Sequence, residues 1–111
     1  MRTLLVKKFP FSASFERAGR HFGHNYILTV EAEPAGGVGE EEITARVDRT
    51  LIRKMESRDL GLHVDFLKNT ELSDANLLGT FWKILEDELK PAVITRLGLQ
   101  KDARTETTLS R

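Results

Sequence analysis

The sequence predicts an α+β fold of four strands and two helices in the order β-β-α-α-β-β. Three observations carry this prediction. Residues 25–33 (NYILTVEAE) alternate, with Tyr26, Leu28, Val30 and Ala32 on one side and Thr29, Glu31 and Glu33 on the other. Ile43, Val47, Leu51 and Met55 recur every four residues and form one helical stripe, widened by Ile52. A second stripe runs through Leu78, Phe81, Trp82, Leu85 and Leu89.

The elements follow in order. Residues 3–15 (TLLVKKFPFSASF) read as the first strand. Leu4 and Val6 share one parity, whereas Phe9, Phe11, Ala13 and Phe15 share the other. The change beside Pro10 predicts a bulge or an edge position. Residues 16–23 read as a polar connection with two glycines, leading into the strand at 25–33. Two strands so close in sequence predict an antiparallel pair. PAGGVG, residues 34–39, breaks the pattern. The first helix covers 40–57, with Glu40, Glu41 and Glu42 at its positive end and Arg53 and Lys54 towards the other. Residues 57–72 read as irregular. The second helix starts at Ser73 or Asp74 as N-cap and stops at Pro91. Residues 92–100 alternate again through Val93, Leu97 and Leu99; residues 101–103 form a turn, and 104–110 (RTETTLS) a last strand. Four strands and two amphipathic helices predict an antiparallel sheet with both helices on one face. Its edges call for pairing or cover, which joining sheets between copies into a barrel would provide.

Composition narrows the function. The 111 residues predict one domain, 1–111, able to bury one modest core. There are 17 basic and 17 acidic residues, so the formal net charge is zero. That argues against a nucleic-acid or anionic-membrane binder, which carries a basic excess. With no cysteine, disulfides, thiolate metal sites and a cysteine nucleophile are excluded. No apolar run reaches the roughly 18 residues of a membrane span. The first ten residues lack the apolar centre of a signal peptide. A cytoplasmic location is expected.

The segment FSASF followed by GRHFGHNYILTV is the most specific part of the chain. It resembles the opening of the 6-pyruvoyl-tetrahydropterin synthase and 6-carboxy-tetrahydropterin synthase family, which have the T-fold (tunnelling fold). That opening reads F-x-A-x-H, a glycine-containing loop, then H-G-H-x-Y and an alternating strand. Phe11, Ala13, Gly23, His24 and Tyr26 match. GLHVDFLKN is similar to the family's L-D-H-x-x-L-N element, and LSDANLL to its P-T-x-E-N-L-A helix start.

The resemblance implies a zinc lyase acting on dihydroneopterin triphosphate, with three histidines holding the metal. It also implies a homo-oligomer, a trimer or hexamer, with pockets between subunits. Residues i and i+2 of a strand face the same side, so H-G-H can present two imidazoles to one ion. The paired strand supplies the third, and a coordination position stays open for substrate.

This chain departs from that pattern where the chemistry sits. Phe15 stands at the first-strand ligand and Phe22 at the first histidine of H-G-H, so His24 alone matches. One imidazole does not make a tight zinc site, and no zinc or other cofactor is expected. His21 is adjacent, but its parity places it on the other face unless a bulge intervenes. The family's cysteine base has no counterpart. The D-H pair is Leu62 and His63, leaving the histidine without its orienting carboxylate. The helix-start glutamate is Ala75, although Asn76 matches. Lys101 falls at the pterin-anchoring glutamate, with Glu106 the alternative if the register slips. A lysine cannot accept the paired N–H bonds of a pterin edge.

The expected function is therefore a divergent synthase-like protein without the standard zinc lyase activity, binding a pterin- or purine-like ligand. Phe15, Phe22, His24 and Glu106 are the candidate ligand-binding residues and His63 the candidate catalytic residue. Two alternatives stand beside it: an active lyase on a related substrate using His24 and His63, or a non-catalytic oligomeric scaffold. Each residue also has a plainer reading. His24 could be a hydrogen-bonded histidine at a strand start, His63 a loop histidine, and Phe15 and Phe22 packing residues. Phe81 and Trp82 are expected in the core. AGGVG lacks the lysine and hydroxyl residue of a phosphate loop and reads as a turn.

Overall fold

The computed structural model describes every residue except Ala18, Asn69 and Thr70, and every remaining side chain except those of Arg17, His21 and Phe22. It has the predicted α+β architecture, with a five-stranded sheet in place of four strands. Two long strands, β1 (Leu5–Arg17) and β2 (Arg20–Glu33), form an antiparallel hairpin. Helix α1 (Glu40–Val47), a π-helical turn (Asp48–Ile52) and helix α2 (Arg53–Met55) run on as one continuous helix. Strand β3 (Arg58–Asp59), a 3-10 turn (Asp65–Leu67) and helix α3 (Asp74–Glu88) follow. Strands β4 (Val93–Gln100) and β5 (Glu106–Ser110) complete the sheet, whose order is β3-β1-β2-β4-β5.

Strand parity decides which face meets the helices. Phe9, Phe11 and Ala13 of β1 and Tyr26, Leu28, Val30 and Ala32 of β2 are all buried on one face. They pack with Ile43, Val47, Leu51 and Met55 of the first helix and with Leu77, Leu78, Phe81 and Leu85 of α3 in a single core. The helices lie on that face alone. The other face carries Lys8, Ser12, Asn25, Glu31 and Arg96, as period-two alternation requires.

The π-helical turn has a physical reason. In a regular α-helix of 3.6 residues per turn, a four-residue repeat drifts by about 40° each time. Hydrogen bonds of the i to i+5 type take more residues per turn and cancel part of that drift. Ile43, Val47, Leu51 and Met55 thereby all stay fully buried.

Several expectations need correction. The polar connection at 16–23 is strand on both sides of a turn containing Gly19, whose φ is +76°. Glu16 and Arg20 are exposed, so their polarity marks a solvated hairpin end. No bulge falls at Pro10, since β1 and β2 pair without interruption from Leu5–Ala32 to Arg17–Arg20. The edge reading holds instead. The Ser12 amide donates to Glu56 and the Ser12 carbonyl accepts from the Ser57 amide, so even-numbered β1 residues turn their backbone groups away from β2. The missing Pro10 N–H therefore costs no ladder bond.

The bulge lies between Glu31 and Ala32, which pair with Arg96 and Ile94. Thr95 is the extra residue, and its hydroxyl donates to the Glu31 carbonyl. This phase change exposes Val93, expected beside Leu97 and Leu99, and buries Ile94. Trp82 is only partly buried; its indole N–H donates to Glu86 at 2.7 Å, and the Arg111 guanidinium lies 5.3 Å from the ring centre. Phe81 takes the core position, fully buried.

Replacing Leu28 by alanine, fully buried on the helix-facing side of the middle strand β2, should cost roughly 2–5 kcal/mol in urea unfolding. Replacing Ser73, whose hydroxyl accepts the Asn76 amide at 3.2 Å, should cost about 1 kcal/mol.

Candidate functional site

His24 lies inside β2, not at its start, opposite Ala13 and on the helix-facing side. Its ring is stacked on Phe15, with centroids 5.7 Å apart and planes 24° off parallel. Two residues further along the same face, Tyr26 meets it edge-on at 5.6 Å. Tyr26 in turn stacks on Phe11 directly across the hairpin, at 5.1 Å and 14°. Phe15, His24, Tyr26 and Phe11 thus form a continuous ladder of rings. Direct and diagonal neighbours on one face of an antiparallel pair lie within aromatic reach, so the pattern of β1 and β2 dictates this.

The first turn of α3 adds charge to this region. Ser73 is the N-cap, which frees the Asp74 side chain for other partners. Asp74 pairs with Lys101 at 3.2 Å, both only partly exposed. The Tyr26 phenol is pushed up to about 12, first by burial and then by the negative charge of Asp74. A carboxylate, a cation and a neutral phenol therefore stand beside the ring ladder. Sequence reasoning assigned Asp74 to capping alone. Its pairing with Lys101 links residues far apart in the chain, and no local pattern signals it.

The other candidates lie apart. Phe22 pairs with Phe15 in the backbone ladder, but its side chain and that of His21 are outside the described residues. Glu106 is on the helix-free face of the sheet. Its carboxyl group lies over Gly98, where an added Cβ would stand 2.9 Å from it. Arg96 holds it, 3.8 Å from Glu106 and 3.2 Å from Glu31. His63 is exposed in the turn after β3, and its backbone amide donates to the Asp59 carbonyl. It lines a depression with Arg53, Lys54 and Arg58 to which His24 does not contribute. Phe15 and His24 are thus brought together, and His63 and Glu106 each occupy a different place.

The described donor set does not fit a zinc ion. Among the described residues, no three side chains of His, Cys, Asp or Glu gather as a metal-binding group. The His24 ring packs against the aromatic rings of Phe15 and Tyr26, which offer no ligand in place of a second imidazole.

The whole chain superimposes on the solved structure of Caenorhabditis elegans 6-pyruvoyl tetrahydropterin synthase with a TM-score of 0.75, covering 100% of this chain and 99% of that one. The chain shares that enzyme's fold. Sequence identity is 17%, so the likeness concerns backbone architecture, from the long hairpin to the two helices behind it. No family model matches the sequence, and no curated protein matches it. Among the described residues, no helix is long and apolar enough to cross a membrane.

Tyr26 is the only tyrosine, so its ionisation can be followed directly by ultraviolet absorbance. The folded protein should titrate near pH 12, and Asp74→Asn should bring the midpoint down part of the way towards 10. Because the folded value is raised, this group's contribution to stability is complete below pH 10. It falls as pH rises from 10 through 12, where only the unfolded chain releases the proton readily.

Proposed function

We infer that the chain is a divergent 6-pyruvoyl-tetrahydropterin synthase-like protein that keeps the fold without the standard zinc-dependent lyase chemistry. It binds a pterin- or purine-like heterocycle. The observation that carries this reading is the ring ladder: His24 is stacked on Phe15 where the resemblance calls for a second imidazole. A ring that packs on a phenyl face is a surface for a flat heterocycle rather than part of a metal cage. Asp74 supplies an acceptor of the kind a pterin or purine edge needs, and Lys101, standing where the family has its glutamate, holds it in place.

The working form is a homo-oligomer, a trimer or hexamer, in the cytoplasm. Supporting this, β5 is one sheet edge, and β3 covers β1 only at Ala13 and Ser14 on the other. Leu4, Val6 and Leu109 are exposed beside these edges. Light scattering after gel filtration should give three or six times 12.6 kDa.

Neopterin or guanine should raise the melting temperature, since a ligand that binds only the folded state stabilises it. Phe15→Ala should abolish most of that rise. Metal analysis of the purified protein should find zinc far below one ion per chain. Stoichiometric zinc lost in His24→Ala, or no stabilisation by any pterin or purine, would overturn the reading.

A further inference from the structure

The sequence RKMESRDLGLH, residues 53–63, places Arg53 and Lys54 in α2, Arg58 in β3 and His63 in the turn that follows. The fold brings them together. Arg53, Lys54, Arg58 and His63 line one depression of about 240 Å³, with Val64 and Asp65. We propose that this depression is a binding site for the phosphoryl group of a small molecule, separate from the ring ladder.

Three features support it. First, the charges are concentrated and uncompensated. The chain as a whole is neutral, and Arg46, Arg49, Arg96, Lys68, Lys90 and Lys101 all have carboxylate partners. Among the described residues, Arg53, Lys54 and Arg58 form no ion pair. Asp65 is the carboxylate on the rim; its side chain is almost fully exposed and faces Lys68 at 3.9 Å. Asp59 is nearby but turned inward, its Oδ1 accepting the Gly61 and Leu62 amides at 2.9 and 3.0 Å. Glu56 is turned towards the Ser12 amide.

Second, the wall is preorganised. The Asp59 turn is tied to the sheet by β3 pairing with Ala13 and Ser14 and by the Leu60 amide donating to Ser14 at 2.7 Å. The His63 amide closes the turn on the Asp59 carbonyl at 2.9 Å. Backbone that is already ordered does not have to be ordered on binding.

Third, the donor types select the ligand. Two guanidinium forks and an ammonium suit an oxyanion that carries two or more charges on one centre. The imidazole adds an N–H donor in either protonation state. A phosphoryl group answers that description, whereas a carboxylate brings a single charge. The depression is too small for a folded partner and of the size for a phosphate ester or diphosphate.

The inference does not rest on the pterin reading, because the probe carries no heterocycle. Calorimetry with inorganic pyrophosphate at low salt should show saturable binding that weakens as salt rises. Arg53→Ala and Arg58→Ala should each weaken it roughly tenfold, the loss expected for one charge-assisted contact. Lys83→Ala, an exposed lysine outside the depression, should leave it unchanged. Circular dichroism of each variant checks that it is folded; these exposed side chains can be removed without touching the core. No pyrophosphate binding, equal binding by the arginine variants, or succinate binding as tightly as pyrophosphate would each overturn the proposal. So would binding confined to anionic phospholipid vesicles.

Discussion

The β1–β2 hairpin is the constraint on which the rest of the molecule depends. Its register runs unbroken from Leu5–Ala32 to Arg17–Arg20. A slip of β1 by one residue would turn Phe9, Phe11 and Ala13 out of the core together, while the β2 residues stay inside. That shared penalty fixes the pairing. The pairing then fixes where His24 meets Phe15, where β4 docks on β2, and where β3 docks on β1. The helices cover a surface that the hairpin has already defined.

The same constraint explains what the sequence revealed. The strand at Tyr26–Val30 and both helical stripes were legible because burial is one-sided and periodic there. The hairpin end was not legible. Glu16 and Arg20 look like loop residues, and their strand conformation comes from backbone pairing rather than from burial. The bulge at Thr95 was hidden too, because an extra residue inside an alternating run leaves no composition signal. Strand β3 is two residues long and is held by its neighbour β1, so no periodicity could show it. The site divides in the same way. His24 and Phe15 were legible together through the resemblance, which puts both at ligand positions of the paired strands. The Asp74–Lys101 pair depends on the docking of α3 beside the end of β4, which is a tertiary fact.

The candidate regions differ in physical character. Around His24 the side chains are flat, packed and partly buried, and the charged groups are already paired. Such a surface selects by shape and stacking. Around His63 the side chains of Arg53, Lys54 and Arg58 are exposed and cationic, and the turn beside them is braced. Such a surface selects by charge and responds to ionic strength. Their separation along the fold allows each to be altered without disturbing the other.

The π-helical turn at Asp48–Ile52 lies between these regions in the chain. Where the hydrogen-bond pattern changes from i+4 to i+5, equal steps in residue number no longer mean equal steps around the helix axis. A similar protein whose helix is regular throughout would be out of step with this one beyond that point, even with every backbone element superimposed. Along the hairpin, by contrast, the continuous register keeps equal steps in residue number equal steps in space. Arg58, Asp59 and His63 all lie beyond the break, so their places in space follow the shifted helix.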